Sequence, residues 1–163
     1  MKPIIPQTSS YVLYKDTNVS FLLSDLAVIK PVSSNDNKAN SWFNILYPEY
    51  NATIYCSFLP IKQENFRKAL EDSYQLAYSH AVRADGIGQD SYANELHKTY
   101  GILYDIDGQV AVPIQFFLTD SISNFFRGSL YYDKEVDMDS VKLITEYLRS
   151  DIIKLMETLE WQH

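Results

Sequence analysis

The stretch QVAVPIQFFLTDSISNFFRGSLYY, residues 109–132, decides the fold. Its apolar and aromatic residues fall into two blocks, Val110 to Leu118 and Asn124 to Tyr132. A polar turn of Thr119, Asp120, Ser121 and Ser123 separates them. Blocks of this length rich in Phe, Ile, Val and Tyr read as strands, and near-continuous apolarity marks a central pair covered on both faces. Gln115 in the first block and Arg127 in the second interrupt the pattern.

Upstream, Thr99 to Ile106 is a further strand, and Asp107-Gly108 is a two-residue hairpin signal leading into the first block. The three strands make an antiparallel meander. Pro113 has no N–H for a ladder, so it calls for a bulge or an edge position in a strand otherwise read as central. Downstream, Asp139 to Leu159 carries Val141, Ile144, Leu148, Ile152, Leu155 and Leu159 on one stripe. This is a helix facing a sheet, with Asp139 as its N-cap. Trp161 is expected to fold back on that sheet.

Toward the N-terminus, Gln63 to Arg83 is a second helix, with Phe66, Leu70, Ser73, Ala77 and Ala81 on a narrow stripe. His80 lies near its end, Gly86 and Gly88 are expected to stop it, and Asp90 to His97 suggests a short helical turn. Trp42 to Tyr47 and Ala52 to Leu59 form a hairpin around Pro48-Glu49-Tyr50-Asn51. Its second strand turns Ala52, Ile54, Cys56 and Phe58 to the core. Tyr11 to Tyr14 and Val19 to Val32 add short strands that close at Lys30-Pro31, before a polar loop from Ser33 to Ser41. Residues 1–10 read as a loose leader and 11–163 as one globular domain. The fold class is α+β, a largely antiparallel sheet flanked by two long amphipathic helices, and the order resembles the Mog1/PsbP-like arrangement.

Composition narrows the function. A chain of 163 residues with 46% hydrophobic residues can bury a core without staples. A net charge of −7 with no basic cluster argues against a nucleic-acid footprint, which needs a basic face. The single cysteine, Cys56, forbids an intrachain disulfide and reads as a small buried hydrophobe. The three histidines have no metal-ligand spacing, and no G-x-S-x-G elbow is present, so no cofactor, metal or catalytic residue is expected. Asp105 and Asp107 flank a turn and read as solvated. The strongest candidate contact is Thr119, Asp120 and Ser121 with Arg127. In one reading they form a rim that meets a partner. In the plainer one Asp120 and Ser121 cap the turn while Arg127 pairs with a carboxylate on the sheet. Gln115 reads as a satisfied buried amide.

Several segments resemble one family, the gliding motility lipoprotein GldD of the Bacteroidota. They are YPEYNATIYCSF at 47–58, LEDSYQLAYSHAVRAD at 70–85, YGILYDIDG at 100–108, VPIQFFLTDSISNFFRGSLYY at 112–132 and DIIKLMETLEW at 151–161. The resemblance implies a non-enzymatic lipoprotein of the cell envelope, on the periplasmic side. It would support gliding motility and type IX secretion through contacts with other proteins of that machinery. No export signal or lipobox cysteine precedes Pro3, so the lipid anchor is expected outside this chain and residues 1–10 as what is left of a tether. The alternative is a periplasmic module that binds a small molecule or glycan in a pocket lined by Tyr and Trp.

Overall fold

The structure is a computed structural model that describes residues 4–32, 41–80, 86–108, 112–134 and 138–162. In chain order the elements are β1 (Tyr11–Lys15), β2 (Val19–Ser24), β3 (Val28–Val32), β4 (Ser41–Tyr47), a 3₁₀ turn (Pro48–Tyr50), β5 (Ala52–Pro60), α1 (Gln63–His80), β6 (Gly86–Asn94), β7 (Thr99–Asp107), β8 (Ile114–Thr119), β9 (Asn124–Tyr132), α2 (Met138–Thr158) and β10 (Glu160–Trp161). Seven strands pair antiparallel in the order β3-β4-β5-β9-β8-β7-β6, and a small sheet pairs β1-β2-β10. The fold is α+β with mostly antiparallel strands and two helices, of 18 and 21 residues.

The opening stretch lies in the middle of the large sheet. Every residue of β8 is buried, which accounts for its unbroken apolar run. Alternation along the strands then divides the sheet into two faces. Ile54, Cys56, Phe58, Phe116, Leu118, Phe126 and Leu130 share one face, packed with Val19 and Phe21 of β2 and Ile144, Leu148, Ile152 and Leu155 of α2. Each such side chain taken out of water contributes about 1.5–3 kcal/mol, so this face supplies most of the stabilisation. Tyr104, Phe117 and Phe125 share the opposite face with Ala69 and Ala77 of α1. Gln115 on that face donates from Nε2 to the Leu76 carbonyl at 3.5 Å. α1 therefore covers only the β7–β8 side, and among the described residues the part of this face over β4, β5 and β9 is left open.

Several expectations are corrected. Gly86 and Gly88 do not end a helix: both lie in β6, and Asp90 to Asn94 continue that strand against β7. As an outer strand it has no fully buried residue to set an apolar alternation. The two-residue hairpin at Asp107-Gly108 is replaced by a longer connection. Asp105 faces Ile114, and the Ile106 N–H donates to the Pro113 carbonyl at 2.8 Å, a register too wide for two residues to close. Gly108 has φ 107°, where an L side chain would be strained. Pro113 needs neither bulge nor edge: it sits just before β8 and offers only its carbonyl. Pro31 does not end β3. It lies within this edge strand, facing Phe43, where the other side of the backbone pairs with no strand among the described residues.

Asp139 lies one residue inside α2 rather than at its cap. Trp161 joins the small sheet opposite Val19, and its indole N–H donates to the Lys98 carbonyl at 2.9 Å. Asp105 is not solvated, because Arg149 of α2 holds it through two contacts, Nε–Oδ1 at 2.9 Å and Nη2–Oδ2 at 3.0 Å. The expected loop at 33–40, the end of the first helix at 81–83, the side chain of His80 and the start of the strand at 110–111 lie outside the described residues.

Candidate functional site

The turn between β8 and β9 is built by Asp120. Its Oδ1 accepts from the backbone N–H groups of Ile122, Ser123 and Asn124, each at 2.9 Å, and Oδ2 accepts from Asn124 Nδ2 at 2.8 Å. Burial alone would raise this carboxyl. The N–H groups of Asn124, Ile122 and Ser123 outweigh it and hold Asp120 below the usual aspartate range. Thr119 donates from Oγ1 to the Asn124 carbonyl at 2.6 Å and accepts the Ser121 N–H at 2.9 Å. Ser121 takes a positive φ of 68°. The polar groups of Thr119 and Asp120 are thus spent inside the turn.

Arg127 is elsewhere. It lies three residues beyond Asn124 on β9, opposite Phe117 on one side and Ser57 on the other. The stacked rings of Phe117 and Phe125, 5.3 Å apart, stand between it and Thr119. No carboxylate among the described residues pairs with Arg127; the arginine ion pairs seen there are those of Arg149 with Asp105 and Asp90. The four expected contact residues therefore form two separate groups.

Arg127 opens into a groove of about 540 Å³ on the uncovered part of the sheet. Trp42 and Asn44 of β4, Tyr55 and Ser57 of β5, and Ser129 and Tyr131 of β9 line it, with Val32 at the outer edge and Leu76 of α1 on the inner side. Trp42, near the start of β4, and Tyr55, within β5, are each 44% exposed. Tyr55 and Tyr131 meet edge to face at 5.2 Å. Cys56 lies beneath the floor, and burial pushes its thiol far up, so it offers no thiolate. The described lining holds no Asp, Glu or His. It offers apolar contact, hydroxyl and amide hydrogen bonds, and one cation. The sequence marked Arg127 but not its companions, because Trp42, Tyr55 and Ser57 meet it only through the pairing of β4, β5 and β9.

A second polar cluster went unread in the sequence. Asp151 of α2 is 6% exposed and accepts from Tyr11 OH at 2.7 Å, Thr8 Oγ1 at 2.8 Å and Tyr47 OH at 3.0 Å. Burial foremost, with the nearby Asp151 charge, pushes the Tyr47 phenol far above the usual tyrosine range. It pushes Tyr50 up to about 12, so these phenols remain donors. Tyr50 donates to the Pro6 carbonyl and Ser9 Oγ to Asp25 Oδ2 at 2.5 Å. The expected leader is thereby laid onto the domain from Pro6 to Ser9. Through these bonds Asp151 fastens the chain start to α2. Among the described residues no group of three or more His, Cys, Asp or Glu side chains could hold a metal ion, and no helix is long and apolar enough to cross a membrane.

The family model described as gliding motility lipoprotein GldD matches residues 3–161, nearly the whole chain, and the protein belongs to that family. No curated protein sequence matches the chain. Membership gives it the character of a lipid-anchored cell-envelope protein with a role in gliding motility.

Proposed function

We propose that this domain serves gliding motility, and the type IX secretion that accompanies it, as a non-enzymatic recognition module on the periplasmic side of the envelope. It acts by contact with other proteins of that machinery, and the groove over Arg127 is its contact surface. The observation that carries this reading is the Arg127 guanidinium, set among exposed Trp42 and Tyr55 without a carboxylate partner among the described residues. Exposed aromatic residues and arginine are the side chains that anchor protein interfaces. The lining, which has no acid–base pair among its described residues, supports contact over catalysis. The turn of Thr119, Asp120 and Ser121 enters the proposal as the end of the same sheet face, with Ile122 exposed at its tip. A helix on each face of the antiparallel sheet supports keeping the Mog1/PsbP-like arrangement as its architectural counterpart.

The second reading, a small-molecule or glycan-binding module, is favoured by the aromatic rings and converging Asn44, Ser57 and Ser129 groups of the same groove. The deciding experiment is genetic. Deletion of the gene in a gliding host is expected to abolish spreading and release of type IX cargo. The full-length lipidated protein should restore both, and Arg127→Gln, at equal abundance, should not. Intact spreading and secretion after deletion would remove the proposal.

A further inference from the structure

We propose that the groove binds a short extended peptide segment bearing a carboxylate about three residues from an apolar side chain. The carboxylate sits on Arg127 and the apolar group on Trp42 and Val32. This deepens the contact reading above and rests on it.

The register sets the dimensions. Val32, Trp42, Ser57 and Arg127 are direct cross-strand partners in one row running across β3, β4, β5 and β9. Strands lie about 4.8 Å apart, so Trp42 and Arg127 are separated by about 10 Å, the length of about three extended residues. The row is polarised. Its outer end is apolar and open, with Val32 43% and Trp42 44% exposed. Its inner end is the cation, closed off by Phe117, which packs in the cluster beneath α1. The neighbouring row, Asn44, Tyr55 and Ser129, places an amide and two hydroxyls beside this path, where peptide N–H and C=O groups need partners.

Charge selects the anion. A guanidinium fork matches a carboxylate through two parallel hydrogen bonds, and this chain uses that geometry at Arg149 with Asp105. Arg127 has the same fork unused among the described residues, in a groove whose described lining holds no carboxylate. The polarity of the row favours a peptide over a sugar. An apolar end at Val32 and Trp42 and a cation about 10 Å away suit an apolar side chain and a carboxylate carried on one extended backbone across the strands.

The test uses N-acetyl-Phe-Ser-Gly with a free C-terminal carboxylate, its C-terminal amide, and a glucuronate-containing disaccharide. Each is titrated into the isotope-labelled 163-residue chain while NMR follows the indole N–H of Trp42 and the Nε–H of Arg127. The expected result is saturable shifts of both signals by the acid, with the amide about tenfold weaker or more. Arg127→Gln should abolish the preference for the acid, and Arg127→Lys, which keeps the charge but loses the fork, should retain part of it. Equal binding of acid and amide, no shift at millimolar acid peptide, or saturation by the disaccharide alone would each overturn the inference. These outcomes are independent of the deletion phenotype. Lost motility without peptide binding sinks this inference and leaves the contact reading. Peptide binding with intact motility sinks that reading instead.

Discussion

Replacing Asp151 by alanine takes the acceptor away from three hydroxyls, those of Thr8, Tyr11 and Tyr47. Hydrogen bonds to a charged group contribute about 1.5–3 kcal/mol each, which would total roughly 4.5–9 kcal/mol. That total is too high for this site. Tyr11 is half-buried and can turn to water, and Thr8 keeps Ser24 at 2.6 Å. Tyr47, 2% exposed, cannot turn to water and keeps only the Ser24 hydroxyl, which Thr8 also uses. The substitution also relieves the cost of keeping a carboxylate from water, so the net loss should be about 3–4 kcal/mol. At about 2–4 °C per kcal/mol for a chain of this size, Tm falls by about 6–16 °C. Urea denaturation followed by circular dichroism gives the free energy, and calorimetry gives Tm. Asp151→Asn keeps one acceptor oxygen and should fall between the two. Limited proteolysis should cut the segment before Tyr11 in the alanine variant before the rest of the domain. A loss below about 1 kcal/mol, with that segment no more cleavable than before, would refute the assignment of Asp151 as the clasp.

Asp120→Ala removes the acceptor of three backbone N–H groups and should cost about 1–2 kcal/mol at neutral pH. Because its folded pKa is lowered, this stabilisation is fully present above the unfolded carboxylate range and is lost as pH falls through the folded value. The gap between variant and parent in urea midpoints should therefore close on acidification; a gap that widens would contradict the capping role. Gly128→Ala places a Cβ 2.4 Å from the ring of Phe116, itself 1% exposed, and such overpacking should cost about 1–3 kcal/mol. Adding Phe116→Leu should recover part of the lost Tm, and no recovery would show the strain to lie elsewhere. Arg127→Gln should change stability by no more than about 0.5 kcal/mol by denaturant titration, since no pairing is lost. A large drop would make Arg127 a structural residue and weaken the functional reading.

The sequence made the fold class legible where burial is complete. The β8–β9 pair and α2 carry apolar residues whose only use is to face two layers, so their pattern survives inspection without a structure. It failed at β6, whose residues GIGQDSYAN are governed by pairing with β7 and not by burial. It failed again after Asp107, where pairing resumes at Pro113 and Ile114, a register set by the facing strands rather than by the local residues Asp107 and Gly108. For the site, the turn chemistry of Asp120 is local and could be read directly. The groove could not, since Val32, Trp42, Ser57 and Arg127 are separated by tens of residues and share a row only once β3, β4, β5 and β9 have paired. Asp151 escaped notice for a related reason: on its helix it is one more acidic residue, and its three donors come from distant segments.

The way the chain start is fastened also fixes how the domain carries load. Tension applied at Ile4 passes to Pro6 and Thr8, and from there to Tyr50 and to Asp151 on α2. All of these lie on the face of the large sheet that α2 covers. The groove floor belongs to the other face, separated from that path by the thickness of the sheet and by hydrogen bonds running through β4, β5 and β9. A pull along the chain start would therefore strain the clasp at Asp151 and the small sheet first, while the row from Val32 to Arg127 keeps its spacing. Mechanically, the domain is held on one side and free to engage on the other.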